Sequence, residues 1–141
     1  MKTILASALL LSCLCLSWAA DAQNIPNTAI VAVPKLEQDG YDWYARHDEV
    51  LRIKDTLNPE IVLIGDSITQ GWEGSGKEVW ARYYANRNAL NLGIGGDRTQ
   101  HVPWRITEGK EVEGNHPKVA GPMIGTNNSG ANRPDQTAEG A

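Results

Sequence analysis

Beyond position 22 the sequence has no cysteine, since its only two, Cys13 and Cys15, lie in the first apolar run. Disulfides and thiolate metal sites are excluded from the remainder, which must be stabilised by packing. A basic stripe is also missing: 13 Lys and Arg are scattered among 17 Asp and Glu, for a formal net charge of −4. That distribution does not suggest a nucleic-acid partner. There is no internal repeat, no low-complexity block and no second membrane segment behind the first apolar run. The 141 residues suffice for one domain with a real core. The last absence is chemical: the histidines are His47, His101 and His116, and no acid-x-x-His pair closes the chain.

What is present begins with an export signal. Lys2 precedes the apolar segment Ile4 to Leu16, and Ala20-Asp21-Ala22 puts small residues at the two positions a signal peptidase reads. Residues 1–22 are predicted to be a signal peptide cleaved after Ala22, giving a secreted or periplasmic protein. A retained anchor and a lipid-modified Cys13 are the weaker alternatives, because the run is short for a bilayer and Cys13 has little apolar sequence before it. Residues 23–35, rich in Asn, Pro, Ala and Val without helical period, are an extended lead-in over the domain surface.

From Asp42 the pattern changes. Trp43, His47, Val50, Leu51, Lys54 and Leu57 recur at three- and four-residue steps, predicting a helix that Asn58-Pro59 ends. Ile61 to Ile64 is a continuous apolar run that suits a strand buried on both faces. Val79, Trp80, Tyr83 and Tyr84 mark a second helix, and Ala89 to Leu92 a second strand running into Gly93-Ile94-Gly95-Gly96-Asp97. A third helix follows around Gln100 to Glu108, then a third strand from Lys118 to Ile124 leading into Gly125-Thr126-Asn127-Asn128. Strands alternating with helices imply a parallel α/β sheet. Gly121-Pro122 in the middle of the third strand is an oddity, since proline is normally confined to sheet edges or bulges, and Ser129 to Ala141 reads as a loop with a nascent helix as an option.

Neighbouring strands of such a sheet bring their carboxyl ends together in a ligand-binding crevice. Three residues there have fitting chemistry. Ser67, in Gly65-Asp66-Ser67-Ile68-Thr69, offers a hydroxyl where a strand hands over to a helix. Its N–H, the N–H of Gly96 and the amide of Asn127 can all donate to an oxyanion. Bland readings compete with each: a helix N-cap for Ser67, a turn residue for Asn127. The glycine run is not a dinucleotide loop, since Arg98 stands at the last glycine position, and Gly74-Ser75-Gly76-Lys77 lacks the Ser or Thr of a phosphate loop because Glu78 follows. Asn127-Asn128-Ser129 fits a glycosylation sequon but is discounted for a buried asparagine. His101 reads as a satisfied surface residue, His47 as a helix-face residue, His116 as a loop residue before proline, and Asp66 as an organiser of the serine turn. Trp43, Trp72, Trp80, Tyr83, Tyr84 and Trp104 are expected mostly in the core, with Trp72 close enough to Ser67 to line a pocket.

With GDSIT, NLGIGGD and GTNN in this order, the sequence resembles the SGNH hydrolases, also called GDSL lipases and esterases. The likeness covers roughly residues 36 to 130. It is strongest toward the catalytic subunits of intracellular platelet-activating-factor acetylhydrolase and their secreted bacterial relatives, through Asp39-Gly40, Trp43, Asn91 to Asp97, Trp104-Arg105 and His116-Pro117-Lys118. The resemblance implies a flavodoxin-like three-layer fold, with Ser67 as nucleophile and Ser67, Gly96 and Asn127 as the oxyanion hole. The Asp-x-x-His block that supplies the base and its acid has no match, so residues 36–141 are expected to be the N-terminal part of such a domain, truncated at the C-terminus and nearly inactive alone.

The expected function is a serine ester hydrolase cleaving a small acyl ester, with an acetyl group on a carbohydrate as one option, through an acyl-enzyme on Ser67. The alternative is a non-catalytic secreted binding or remnant protein. No metal or organic cofactor is implied, no nucleic-acid partner and no stable membrane span, and the family includes dimer formers.

Overall fold

A run of β-branched residues bounded by turn formers favours extended backbone covered on both sides, and Ile61–Gly65 forms such a strand, β1. Two parallel partners flank it, β2 (Ala89–Gly93) and β3 (Val119–Met123), in the order β2-β1-β3. Ile61 stands opposite Ala89 and Val119, and Gly65 opposite Gly93 and Met123. The computed structural model describes residues 25–141, so the predicted signal segment 1–22 lies outside the described residues.

The expected alternation holds. Helix α1 (Trp43–Leu57) precedes β1, α2 (Ser67–Gln70) and α3 (Lys77–Tyr83) separate β1 from β2, α4 (His101–Ile106) follows β2, and α5 (Pro134–Gly140) follows β3. Local chemistry sets the limits of α1: the Asp42 carboxylate accepts the Ala45 N–H at 2.9 Å, and Asn58 leaves the helix in the left-handed region at φ 47° before Pro59. From β1 the chain moves to one side for β2 and to the other for β3, making the carboxyl end of β1 a topological switch point. Ser67 follows that end directly.

Val50 of α1, Val62 and Ile64 of β1 and Leu90 and Leu92 of β2 form the core, with Leu57, Val102 and Val112 packed against it. Each such side chain contributes about 1.5–3 kcal/mol on burial. The two sheet edges differ. All five residues of β2 are buried, and arginines answer its carbonyls: Arg46 donates to Asn91 O at 3.1 Å and Gly93 O at 3.2 Å, and Arg105 to Leu92 O at 2.5 Å. β3 is largely exposed, and Pro122 lies on it as an edge position allows. Val119 donates its N–H to Glu60 O. Because N–H directions alternate along a strand, Pro122, three residues on, takes an outward-facing place where no ladder donor is needed.

Three expectations need correction. Among the aromatic residues proposed for the core only Trp43 is buried; Trp72, Trp80, Tyr84 and Trp104 are half-buried and Tyr83 is exposed, because α3 carries no buried residue. Residues 129–141 are not a plain loop. α5 starts at Pro134, a residue pre-set for a first helical turn, and the lead-in fixes it through Asn27, whose amide donates to Gln136 O at 3.2 Å and Glu139 Oε2 at 2.8 Å. His101 is buried, not at the surface. Among the described residues no helix is long and apolar enough to cross a membrane.

Candidate functional site

Ser67 opens α2 immediately behind β1. Its N-cap is Asp66, buried and extended (φ −96°, ψ −153°), whose carboxylate accepts the Ile68 N–H at 2.9 Å. The cap falls to Asp66, so the Ser67 side chain is not consumed in it. Ser67 is exposed, and among the described residues its hydroxyl has no hydrogen-bond partner. It borders an open groove of about 450 Å³ shared with Ile68, Gly71, Trp72, Ser75 and Gly76, so Trp72 does stand beside Ser67.

Close backbone approach holds α2 in place. A Cβ on Gly93, the last residue of β2, would stand 2.1 Å from Gln70 N, so only glycine lets α2 pack on that strand end. Gln70 then ties the serine helix to the glycine turn: its side-chain carbonyl accepts the Gly95 N–H at 3.0 Å and the Tyr41 hydroxyl at 3.0 Å. Gly96 follows at φ +78°, a conformation in which a side chain is strained.

Asn127 lies in a short 3₁₀ turn after β3, half-buried. Its amide donates to Asp97 O at 2.7 Å, and its carbonyl accepts from Arg98 Nε at 3.2 Å, so the glycine turn and the asparagine turn are directly bonded. One of the two amide N–H groups is used this way; among the described residues the second has no partner. Asn128 strengthens the junction, accepting the Thr99 N–H at 2.9 Å and donating to Thr99 Oγ1 and Gln100 Oε1, each at 3.0 Å.

Beneath this junction runs a buried ionic network that the motifs do not announce. Arg105 donates to Asp97 Oδ2 at 2.6 Å, to Glu111 Oε2 at 2.6 Å and through Nε to both Glu111 oxygens at 3.0 Å. Trp43 Nε1 donates to Asp97 Oδ1 at 2.5 Å, and His47 Nδ1 meets Glu111 Oε1 at 2.7 Å. Burial alone would lower the Arg105 pKa, but the Glu111 and Asp97 charges raise it above the ordinary value. Arg46 behaves likewise: burial opposes its charge, while Glu49 and Glu73 hold it protonated. Asp97 is thus fixed through its carboxylate and offers its carbonyl to Asn127.

The histidines fall elsewhere. His47 is engaged with Glu111, and His101 Nδ1 accepts the Arg98 N–H at 3.1 Å. His116 precedes β3 and therefore lies toward the amino ends of the strands, opposite the rim that carries Ser67. Among the described residues no group of three or more His, Cys, Asp or Glu is placed to hold a metal ion.

A family model described as the GDSL-like lipase/acylhydrolase family matches residues 63–141. The chain belongs to this family. Among GDSL-like relatives it is 38% identical over 105 residues to platelet-activating factor acetylhydrolase IB subunit alpha1 of Bos taurus, an alignment covering 74% of this chain and 44% of that protein. The human alpha1 subunit matches equally, 38% over 105 residues. Subunit alpha2 of Rattus norvegicus is 41% identical over 101 residues, covering 69% of this chain and 42% of its own length. This GDSL-like chain therefore spans less than half the length of these relatives.

The signals for Ser67, Gly96 and Asn127 were local and readable. Those for Gln70, Trp43 and Arg105 were not, because their partners lie 25, 54 and 8 residues away.

Proposed function

We propose that this chain carries the nucleophile and oxyanion hole of a serine ester hydrolase for small acyl esters, an acetyl group on a carbohydrate among them. Ser67 Oγ attacks the ester carbonyl carbon as a base takes its proton. Charge collects on the carbonyl oxygen, where the N–H groups of Ser67 and Gly96 and the Asn127 amide donate hydrogen bonds. Collapse of this tetrahedral species expels the alcohol, protonated by the same base, and leaves an acyl-serine that water hydrolyses by the reverse sequence. The observation that carries the reading is the exposed, unpartnered Ser67 hydroxyl at the head of a helix beside an open groove, in a chain of the GDSL-like acylhydrolase family.

One observation favours the second reading, a secreted binding or remnant protein: among the described residues no histidine is hydrogen-bonded to the Ser67 hydroxyl. In another serine hydrolase, loss of the catalytic histidine costs about 10⁶ in turnover. We therefore expect the 141-residue chain to hydrolyse p-nitrophenyl acetate only slowly. The test compares this chain, its Ser67→Ala variant and a chain extended by whatever coding sequence follows Ala141. An Asp-x-x-His in that extension with Ser67-dependent hydrolysis supports the enzyme; rates unchanged by Ser67→Ala in every form remove Ser67 from the mechanism. Export belongs to the same proposal, and mass spectrometry of protein from the culture medium or periplasm should find Gln23 at the N-terminus.

A further inference from the structure

Matched strand ends set two donor-bearing segments side by side. Gly65 of β1 stands opposite Gly93 of β2, and the ladder runs one step further, with the Ile94 N–H donating to Gly65 O at 3.1 Å. Beyond that bond the chains part: one enters α2 with Ser67, the other a turn of residues 94–97. The Asp97 N–H donates to Ile94 O at 3.2 Å, and Gly96 at φ +78° with Gly95 outside the left-handed region makes this a type II turn. The N–H groups of both central residues stay outside its closing bond. Among the described residues the N–H groups of Ser67 and Gly96, the two backbone donors proposed for the oxyanion, have no hydrogen-bond partner.

One side chain crosses the gap between them. Gln70 closes the first turn of α2, its own N–H donating to Asp66 O at 2.9 Å, and its side-chain carbonyl accepts the Gly95 N–H at 3.0 Å. It is therefore bonded both to the turn that presents Ser67 and to the residue before Gly96. The same carbonyl oxygen accepts the Tyr41 hydroxyl at 3.0 Å, which fixes the amide with its oxygen toward Gly95. Asn127, the third donor, is tied to the far end of the same turn through Asp97 O at 2.7 Å. The glycine turn is thus anchored to α2 at residue 95 and to the asparagine turn at residue 97.

We propose that Gln70 is a positioning residue for the oxyanion hole, holding the Gly96 N–H at the spacing from Ser67 that a shared oxygen needs. It acts through Gly95 and touches no reacting atom. The proposal rests on the esterase reading for its purpose, but the positioning can be read without turnover. The isotope-labelled full chain is compared by amide NMR with Gln70→Met, which keeps the length and removes the acceptor, with Gln70→Glu, which keeps an acceptor, and with Tyr41→Phe, which removes only the hydroxyl. In Gln70→Met the Gly95 amide should exchange with solvent about 5–10-fold faster, and the Gly95 and Gly96 resonances should shift. Gln70→Glu should keep the slow exchange, and Tyr41→Phe should move the same two resonances by less. Ser67-dependent hydrolysis of p-nitrophenyl acetate, taken per folded molecule by circular dichroism, should lose about 10–100-fold in kcat in Gln70→Met with KM within about 2-fold. Unchanged Gly95 and Gly96 resonances in Gln70→Met, or a loss confined to KM, overturn the role. Should Gln70→Met not fold, unchanged resonances in Tyr41→Phe overturn it. Resonances that do not move in a protein whose Ser67-dependent hydrolysis is intact overturn the positioning alone. The expected shifts without that hydrolysis in any form support the positioning and count against the esterase.

Discussion

Replacing Arg105 with Met tests how the site is held. Arg105 is fully buried, and it is the cation between Asp97 and Glu111, which are also fully buried. Met keeps much of the side-chain volume and removes every donor. Two carboxylates then stay in the interior without their guanidinium, and the Leu92 carbonyl loses its 2.5 Å donor. Breaking a buried pair in this way costs about 3–5 kcal/mol, a large part of the roughly 5–15 kcal/mol that holds a typical domain. With a urea slope of about 1.5 kcal/mol/M, the midpoint falls by about 2–3 M. Urea titration of the full chain, followed by far-UV circular dichroism, gives the number. A second variant separates charge from packing: Glu111→Gln placed on Arg105→Met removes one orphaned charge, so the pair should be less destabilised than the sum of the single changes by about 1–3 kcal/mol. A single-variant loss below about 1 kcal/mol, or strict additivity, would refute the network as the support of the glycine turn.

Two further outcomes follow from the fold. Asp39 is held below its ordinary value of 3.8 by the Lys35 hydrogen bond, and Glu37 below its ordinary 4.5, burial opposing the shift and its own backbone N–H and Arg98 producing it. Both folded values lie under the unfolded ones, so the docking of segment 35–41 is fully supported above those ordinary values and lost as pH falls through the lower folded ones. Tyr41 resonances should be unchanged from pH 7 to pH 5 and shift only below about pH 4; a shift centred above pH 5 contradicts the pairing. Pro122→Val should change stability by less than about 0.5 kcal/mol in urea titration, since no ladder donor is missing there, but should raise self-association in sedimentation by completing the exposed edge of β3. A loss above about 2 kcal/mol would mean that the outward direction assigned to residue 122 is wrong.

Much of this protein was legible in the order of its residues. The Ile61 to Ile64 and Ala89 to Leu92 runs, the change of pattern at Asp42, the Asn58-Pro59 stop and the three loop motifs each declare themselves within a few positions, because strand and helix preference and turn chemistry act over that range. Gly121-Pro122 marked its strand as irregular, since proline reports its own missing donor, but that β3 is an edge strand was decided by the sheet order. The aromatic residues misled because hydrophobicity says that a ring favours burial, not whether apolar structure is there to cover it; Tyr83 stays 49% exposed, with the Arg82 guanidinium 5.1 Å from its ring centre.

Tertiary structure alone decided the rest. That Asp97 would be gripped by Trp43 and Arg105, that Gln70 would bridge the serine helix to Gly95, and that residues 35–41 would close over Gly95 and Gly96 depend on which strand lies beside which. Those partners are brought within hydrogen-bond distance by the β2-β1-β3 order and the shared core under it. The motifs name the chemical groups because a group's chemistry is carried by its own residue. Their mutual placement is a property of long-range packing, in which each ion pair and close approach is stable only once the whole sheet has excluded water from around it.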